Sequence, residues 1–215
     1  MFQTVLPVHQ ARSRESLNRL LKATVEVLDK YGLEGATVPR IAACAGVSPG
    51  TIYRRFPDKD ALLREVCLRT LESNYQVVSH SLAPERWQGK PLADMVRLFI
   101  DTTLKGHRSH RGLARALLFF TLQHADKAFT RKSAELRKKT FDHIAGLLLS
   151  RREEIRHPRP EAAVRFAMLM VSFAAQGTTT LPRNPADMSR FLPDIENQFD
   201  RELPQMVLRF LGIEE

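Results

Sequence analysis

Residues 36–59, ATVPRIAACAGVSPGTIYRRFPDK, constrain the fold more than any other stretch of the chain. Val38, Ile41, Ala42 and Ala45 recur at i, i+3, i+4 and i+7, which places four apolar side chains on one face of a short helix. Thr37 stands where it can cap the start of that helix, and Gly46 stands where a left-handed residue would end it. Val47 follows as an apolar anchor beneath the turn. Ser48 can cap a second helix, with Pro49 in the first helical position, where a missing N–H costs nothing. The prediction is two short helices joined by a turn of about three residues.

In the second helix Ile52 and Phe56 are four apart and share the buried face. At about 100° per residue, Gly50 and Arg54 then point nearly opposite that face, Thr51 lies beside them and Tyr53 sits on the flank. A helix that presents glycine, hydroxyl, phenol and guanidinium outward suits a DNA major groove. Gly50 permits close approach, Thr51 and Tyr53 can donate to phosphates, and Arg54 can bond a guanine edge through two N–H groups.

Thr37, Ile41, Ala42, Ala45–Gly46–Val47–Ser48, Gly50–Thr51–Ile52–Tyr53, Phe56, Lys59 and Leu62 follow one another in the order and spacing of a known motif. The stretch resembles the helix-turn-helix of TetR-family transcriptional regulators. The detailed match covers roughly a quarter of the chain; beyond it, helical layout and length are the family-like features. The resemblance implies a DNA-binding set of Thr37, Arg40, Ser48, Pro49, Gly50, Thr51, Tyr53, Arg54 and Lys59, with Lys59 on a phosphate. The Arg54–Arg55 pair departs from the bulky, aromatic or histidine residue expected there, and Pro39 lies in a turn that can carry a DNA-contacting side chain.

The formal charge of +9 and pI near 10.0 favour a polyanionic partner. The excess is not concentrated on the motif: residues 1–60 hold nine Lys/Arg against six acids, whereas residues 97–156 hold 14 against six. The second run reads as a solvated face that also admits an acidic effector. With no long apolar run and no secretion signal, a cytoplasmic protein without a membrane span is expected. Cys44 and Cys67 are expected to be reduced, packed thiols.

The rest of the chain reads as all-α, about nine helices in total. Residues 10–59 form a three-helix helix-turn-helix domain, and residues 60–215 a larger effector-binding and dimerisation domain. Residues 1–12 lack periodicity and read as a loose arm. Leu17, Leu21, Thr24, Leu28 and Tyr31 mark a first helix that Gly32 ends. Asp58 caps a fourth helix running to about Leu82, the natural lever between the two domains, and Trp87 occupies a loop where it can plug a core edge. A fifth helix from Leu92 stops near Gly106, a sixth spans about Arg111 to His124, and a seventh about Lys127 to Ile155, with Phe141, Ile144, Ala145 and Leu148 facing in. Between Ala162 and Ala175 only Arg165 and Ser172 are polar, so this eighth helix needs cover on both sides. The last helix, near Ser189 to Leu211, carries Phe191, Ile195, Phe199, Leu203, Met206 and Phe210 along a stripe, with Pro204 expected to bend or interrupt it. Two such helices, about 161–176 and 189–211, suit a two-fold four-helix interface, where the resemblance also puts the homodimer contact.

No catalytic motif stands out, and no cofactor or metal is expected; His107 and His110 are three apart but lack a recognisable third ligand. By resemblance an effector pocket lies among helices five to eight, with Phe99, Thr103, Phe120, His124, Phe173 and Gln176 as candidates. His124 reads either as a hydrogen-bonded core residue or as a polar anchor for a ligand. The leading expectation is a repressor, not an enzyme, that binds a palindromic double-stranded operator as a dimer and is released by a small molecule. A sequence-indifferent DNA-packaging protein and a helical enzyme with an attached DNA-binding module remain open at this point.

Overall fold

The computed structural model describes residues 8–123, 126–180 and 194–214. Among them are nine α-helices and no strands: α1 (Val8–Gly35), α2 (Val38–Ala45), α3 (Pro49–Tyr53), α4 (Lys59–Ser81), α5 (Leu92–Ser109), α6 (Arg111–Gln123), α7 (Lys127–Leu149), α8 (Pro160–Thr180) and α9 (Ile195–Leu211). No helix among the described residues is long and apolar enough to cross a membrane.

The local signals place most of the boundaries. Thr37, Ser48 and Asp58 each accept a backbone N–H at the start of α2, α3 and α4, and Gly46 ends α2 in the left-handed region (φ 66°). Helix α1 begins at Val8, inside the segment expected to be a loose arm, and breaks at Gly32 (φ 68°, ψ −174°) before a last turn. Tyr31 does not join the core stripe of α1. It is exposed, and the Arg40 guanidinium lies 4.4 Å from its ring centroid.

Two further helices end elsewhere than expected. Helix α5 runs past Gly106 to Ser109, because a glycine within a helix lowers stability without forcing a stop. Helix α7 ends at Leu149 rather than near Ile155. A 3-10 turn (Arg152–Glu154) follows, and Ile155 is buried in an extended conformation. Helix α9 is continuous through Pro204. Phe191 and the proposed start of this helix at Ser189 lie outside the described residues. Trp87 is half-buried against the core, and its indole N–H donates to Ser81 O at 3.1 Å.

Two hydrophobic cores result. One joins Leu20, Leu28, Ile41, Ile52, Leu62 and Val66 from α1–α4 to Leu113, Ala116 and Phe120 of α6 and Phe129 of α7. The other joins α5, the second half of α7, α8 and α9, with Leu82 at the end of α4. The packing around the helix-turn-helix therefore extends beyond residue 59, and α4 and α7 run through both cores.

Cys67 is buried as expected, whereas Cys44 is exposed on α2. Desolvation pushes both thiols above their usual range, and at Cys44 a hydrogen bond to Glu26 adds to the effect. A raised pKa means less thiolate at neutral pH, so alkylation followed by mass spectrometry should find Cys44 modified more slowly than a free thiol. Cys67 should react only on unfolding. Rapid labelling of Cys67 in the native protein would contradict this packing.

Candidate nucleic-acid interface

The turn between α2 and α3 is fixed by backbone geometry. Gly46 N–H donates to Ala43 O and Val47 N–H donates to Ala42 O at 3.0 Å, which closes the end of α2 and turns the chain. The Ser48 hydroxyl then accepts Thr51 N–H at 3.3 Å and opens α3 with Pro49 at its first turn. Ile52 is buried and Phe56 half-buried, so together they anchor the helix from below.

The opposite face is open. Ser48, Pro49, Gly50 and Arg54 are exposed, Thr51 is half-buried, and Tyr53 keeps 54% of its surface accessible. A Cβ on Gly50 would meet only Ser48 Oγ, at 3.8 Å. Internal packing gives no reason for glycine here, although glycine within a helix costs about 0.5–1 kcal/mol relative to alanine. Its missing side chain leaves room on the outer surface, where a duplex would approach.

The exposed polar groups form a chain. Ser48 Oγ lies 3.0 Å from Thr51 Oγ1, and Arg54 Nη2 donates to the same Thr51 oxygen at 3.2 Å. The guanidinium is thereby laid along α3 with its remaining N–H groups outward. Beside it Arg55 Nη2 donates to Ser13 Oγ at 3.3 Å, linking α1 to the chain just after α3. Sequence reasoning did not find Ser13, because a contact across 42 positions leaves no periodic trace.

Two expected DNA-binding cations are turned towards α1. Arg40 Nη1 donates to Gly35 O at 2.5 Å, and Lys59 Nζ donates to Leu33 O at 3.2 Å. Both meet the carbonyl end of α1, where the helix dipole favours positive charge. Thr37 is the cap of α2, its hydroxyl accepting Arg40 N–H at 3.4 Å.

The six ligand-binding candidates do not come together. Phe99 is buried in the core of α5 and α7–α9, and Thr103 Oγ1 donates to its carbonyl at 2.7 Å. Phe120 is only 1% exposed in the other core, edge-on to Phe129. Phe173 is exposed on α8, Gln176 is half-buried, and His124 lies outside the described residues. Two open clefts, of about 370 and 320 Å³, flank α4, and none of these candidates lines either. His107 Nδ1 lies 2.9 Å from Thr103 O, and His110 Nδ1 lies 3.2 Å from Asp29 Oδ2. Sequence reasoning also passed over Ser79 and His143 on α4 and α7, whose Oγ and Nε2 are buried with unused hydrogen-bonding capacity.

Residues 20–66, which hold this motif, match the family model described as bacterial regulatory proteins, tetR family. Among curated relatives, the HTH-type transcriptional regulator BetI 1 of Chromohalobacter salexigens is 32% identical over 103 residues, 47% of this chain and 49% of that protein. The match thus spans about half the length of that relative. Among solved structures, the transcriptional regulator FadR from Bacillus subtilis, in complex with stearoyl-CoA, superposes with a TM-score of 0.65 at 18% identity. That likeness covers 92% of this chain and 99% of FadR. A bacterial regulatory protein in the tetR family from Rhodococcus RHA1 gives a TM-score of 0.65 at 17% identity over 94% of this chain and 99% of that one. Residues 20–66 thus match the N-terminal model of the bacterial tetR-family regulatory proteins, and the chain as a whole shares the fold of these solved regulators.

Proposed function

We propose that the protein is a cytoplasmic, non-catalytic repressor that binds a palindromic operator as a homodimer and releases it on binding a small molecule. Residues 10–59 would form the reading head and residues 60–215 the effector-binding and pairing unit. The observation that carries the reading is the outward presentation of Gly50, Tyr53 and Arg54 on a helix capped at Ser48 and anchored by Ile52.

The pairing surface is argued from α8 and α9. Phe166, Leu169 and Phe173 form an exposed stripe on α8, and Met206 and Phe210 are exposed on α9. Phe166 and Phe210 lie 5.7 Å apart between ring centroids, which joins the two helices into one apolar face. Such a face in water is the mark of an interaction site, and a second copy would cover it symmetrically. Pairing through it would place two α3 helices on successive major grooves about 34–36 Å apart, or a multiple of that distance.

For the effector, Phe99 and Thr103 on α5 are the candidates that remain adjacent, and we place its site beside them in the core that α5 and α7 share with α8 and α9. FadR, similar in fold, is seen with stearoyl-CoA, which supports testing acyl thioesters first. Effector binding would favour a dimer shape whose recognition helices no longer match the operator, acting through α4, and requires different affinities for the two shapes.

Arg54→Ala tests the reading on an operator recovered by selection from random duplexes. Affinity should fall by about 1–3 kcal/mol per half-site, and discrimination should relax at the equivalent base pair of each half-site. Equal loss on every duplex would restrict Arg54 to phosphate. Lys59→Ala should weaken binding to all duplexes and lower the slope of log K against log salt by about 1.8, as one phosphate contact is lost from each subunit of the dimer. An unchanged slope would leave Lys59 as a tie to Leu33 alone.

A further inference from the structure

The corner between α5 and α6, residues 108–113, holds two distant elements at once. Towards α9, Arg108 Nη1 donates to Asp200 Oδ2 at 2.7 Å and its Nη2 to Glu196 O at 3.0 Å, while Arg111 is ion-paired with Glu196. Towards α1, Leu113 N–H donates to Asp29 Oδ1 at 3.0 Å, and His110 faces the other oxygen of that carboxylate. Asp29 thus caps the first turn of α6 from another helix, where a carboxylate answers both the unpaired N–H groups and the dipole.

Gly112 makes the contact with α1 close. A Cβ at this position would fall 1.8 Å from the Asp29 carbonyl oxygen, so the two backbones touch where no side chain fits. Arg108 is 16% exposed, and two of its nitrogens are bound on α9. Unlike a loose surface ion pair, it is held in one geometry.

Helix α9 carries part of the apolar pairing face, and α1 carries the core on which α2 and α3 rest. Six consecutive residues therefore connect the pairing surface to the reading head, with side chains gripping each end. We propose that Asp29, Arg108 and Arg111 are positioning residues that set the separation of the two recognition helices, and so the half-site spacing that the protein accepts. The proposal rests on the dimeric, operator-binding reading above. None of the three belongs to the outward set on α3 proposed to meet DNA.

Spacing is a demanding readout. Each base pair inserted between half-sites moves one of them by about 3.4 Å and turns it by roughly 34°. A rigid head cannot follow, whereas a loosened one can. The experiment takes the selected operator, adds or removes one or two base pairs at its centre, and measures affinity by fluorescence anisotropy for wild type, Asp29→Ala and Arg111→Ala.

Wild type should lose affinity steeply on the re-spaced duplexes. In both variants that penalty should shrink at least about fivefold, the lower end of couplings between distinct sites. Discrimination against base changes inside a half-site should stay as in wild type. Asp29→Asn, which keeps an acceptor for Leu113 N–H, should retain most of the wild-type preference. Arg111→Ala acts at the α9 end, so it reports on spacing even where Asp29→Ala loosens α6.

A uniform loss of affinity at all spacings, with the profile unchanged, would reduce the corner to a structural role and overturn the proposal. A wild-type protein that selects single half-sites with no preferred separation would instead remove the dimeric reading, and this proposal with it.

Discussion

Replacing Phe173 by glutamate should yield a folded monomer that no longer holds a palindromic operator. In a single chain this side chain is 55% exposed, so the substitution asks little of the fold, and surface changes of that kind stay within about 0.5 kcal/mol. In a two-fold pair it would place two carboxylates in an apolar interface beside Phe166 and Leu169. Loss of a central aromatic costs about 2 kcal/mol or more per site, and symmetry counts it twice. Dimer affinity should fall by at least about a thousandfold, since 1.4 kcal/mol is a factor of ten. Sedimentation equilibrium reads the mass, and circular dichroism checks that the helices remain. A dimer of undiminished affinity would move the pairing surface away from α8.

Phe120→Ala should be the most destabilising single truncation near the reading head. The ring is fully buried among residues of α1, α4 and α6 and packs edge-on against Phe129 at 5.7 Å. Truncations of this type cost about 3–5 kcal/mol. For a chain of this size each kcal/mol lowers Tm by about 2–4 °C, so a fall of roughly 6–20 °C is expected by calorimetry. A side chain lining an effector cavity would behave differently: its removal would spare the melting temperature and shift the response to ligand.

Phe120 also marks the boundary of what a sequence can disclose. Its place on one apolar face is readable from helical period alone, since Leu113, Leu117 and Phe120 follow at spacings of four and three. Which core that face enters is not, since α6 folds back onto α1 across more than 80 positions. The caps at Thr37, Ser48 and Asp58 and the turn at Gly46 were legible for the converse reason: each is settled within three or four residues.

The outward set on α3 was readable in the same way, as its orientation follows from Ile52 and Phe56 on the buried side. Arg40 and Lys59 show the limit. Sequence places them near the motif, but the carbonyl end of α1 that draws both cations is formed by a neighbouring helix. The exposed stripe at Phe166, Leu169 and Phe173 was foreshadowed by a helix with too few polar residues to face water. A site for the proposed effector would leave no comparable pattern, because a cavity is lined by residues from several helices with no spacing in common.

The most direct test of the central claim is selection of bound sequences from a random duplex pool by the purified protein, with the mass of the complex measured on the recovered DNA. Two α3 helices presented by a symmetric pair should recover an inverted repeat with half-sites about one helical turn apart or a multiple of it. The complex should contain an even number of chains per duplex. Recovery of duplexes with no common sequence, or of a lone asymmetric site bound by one chain, would contradict the account.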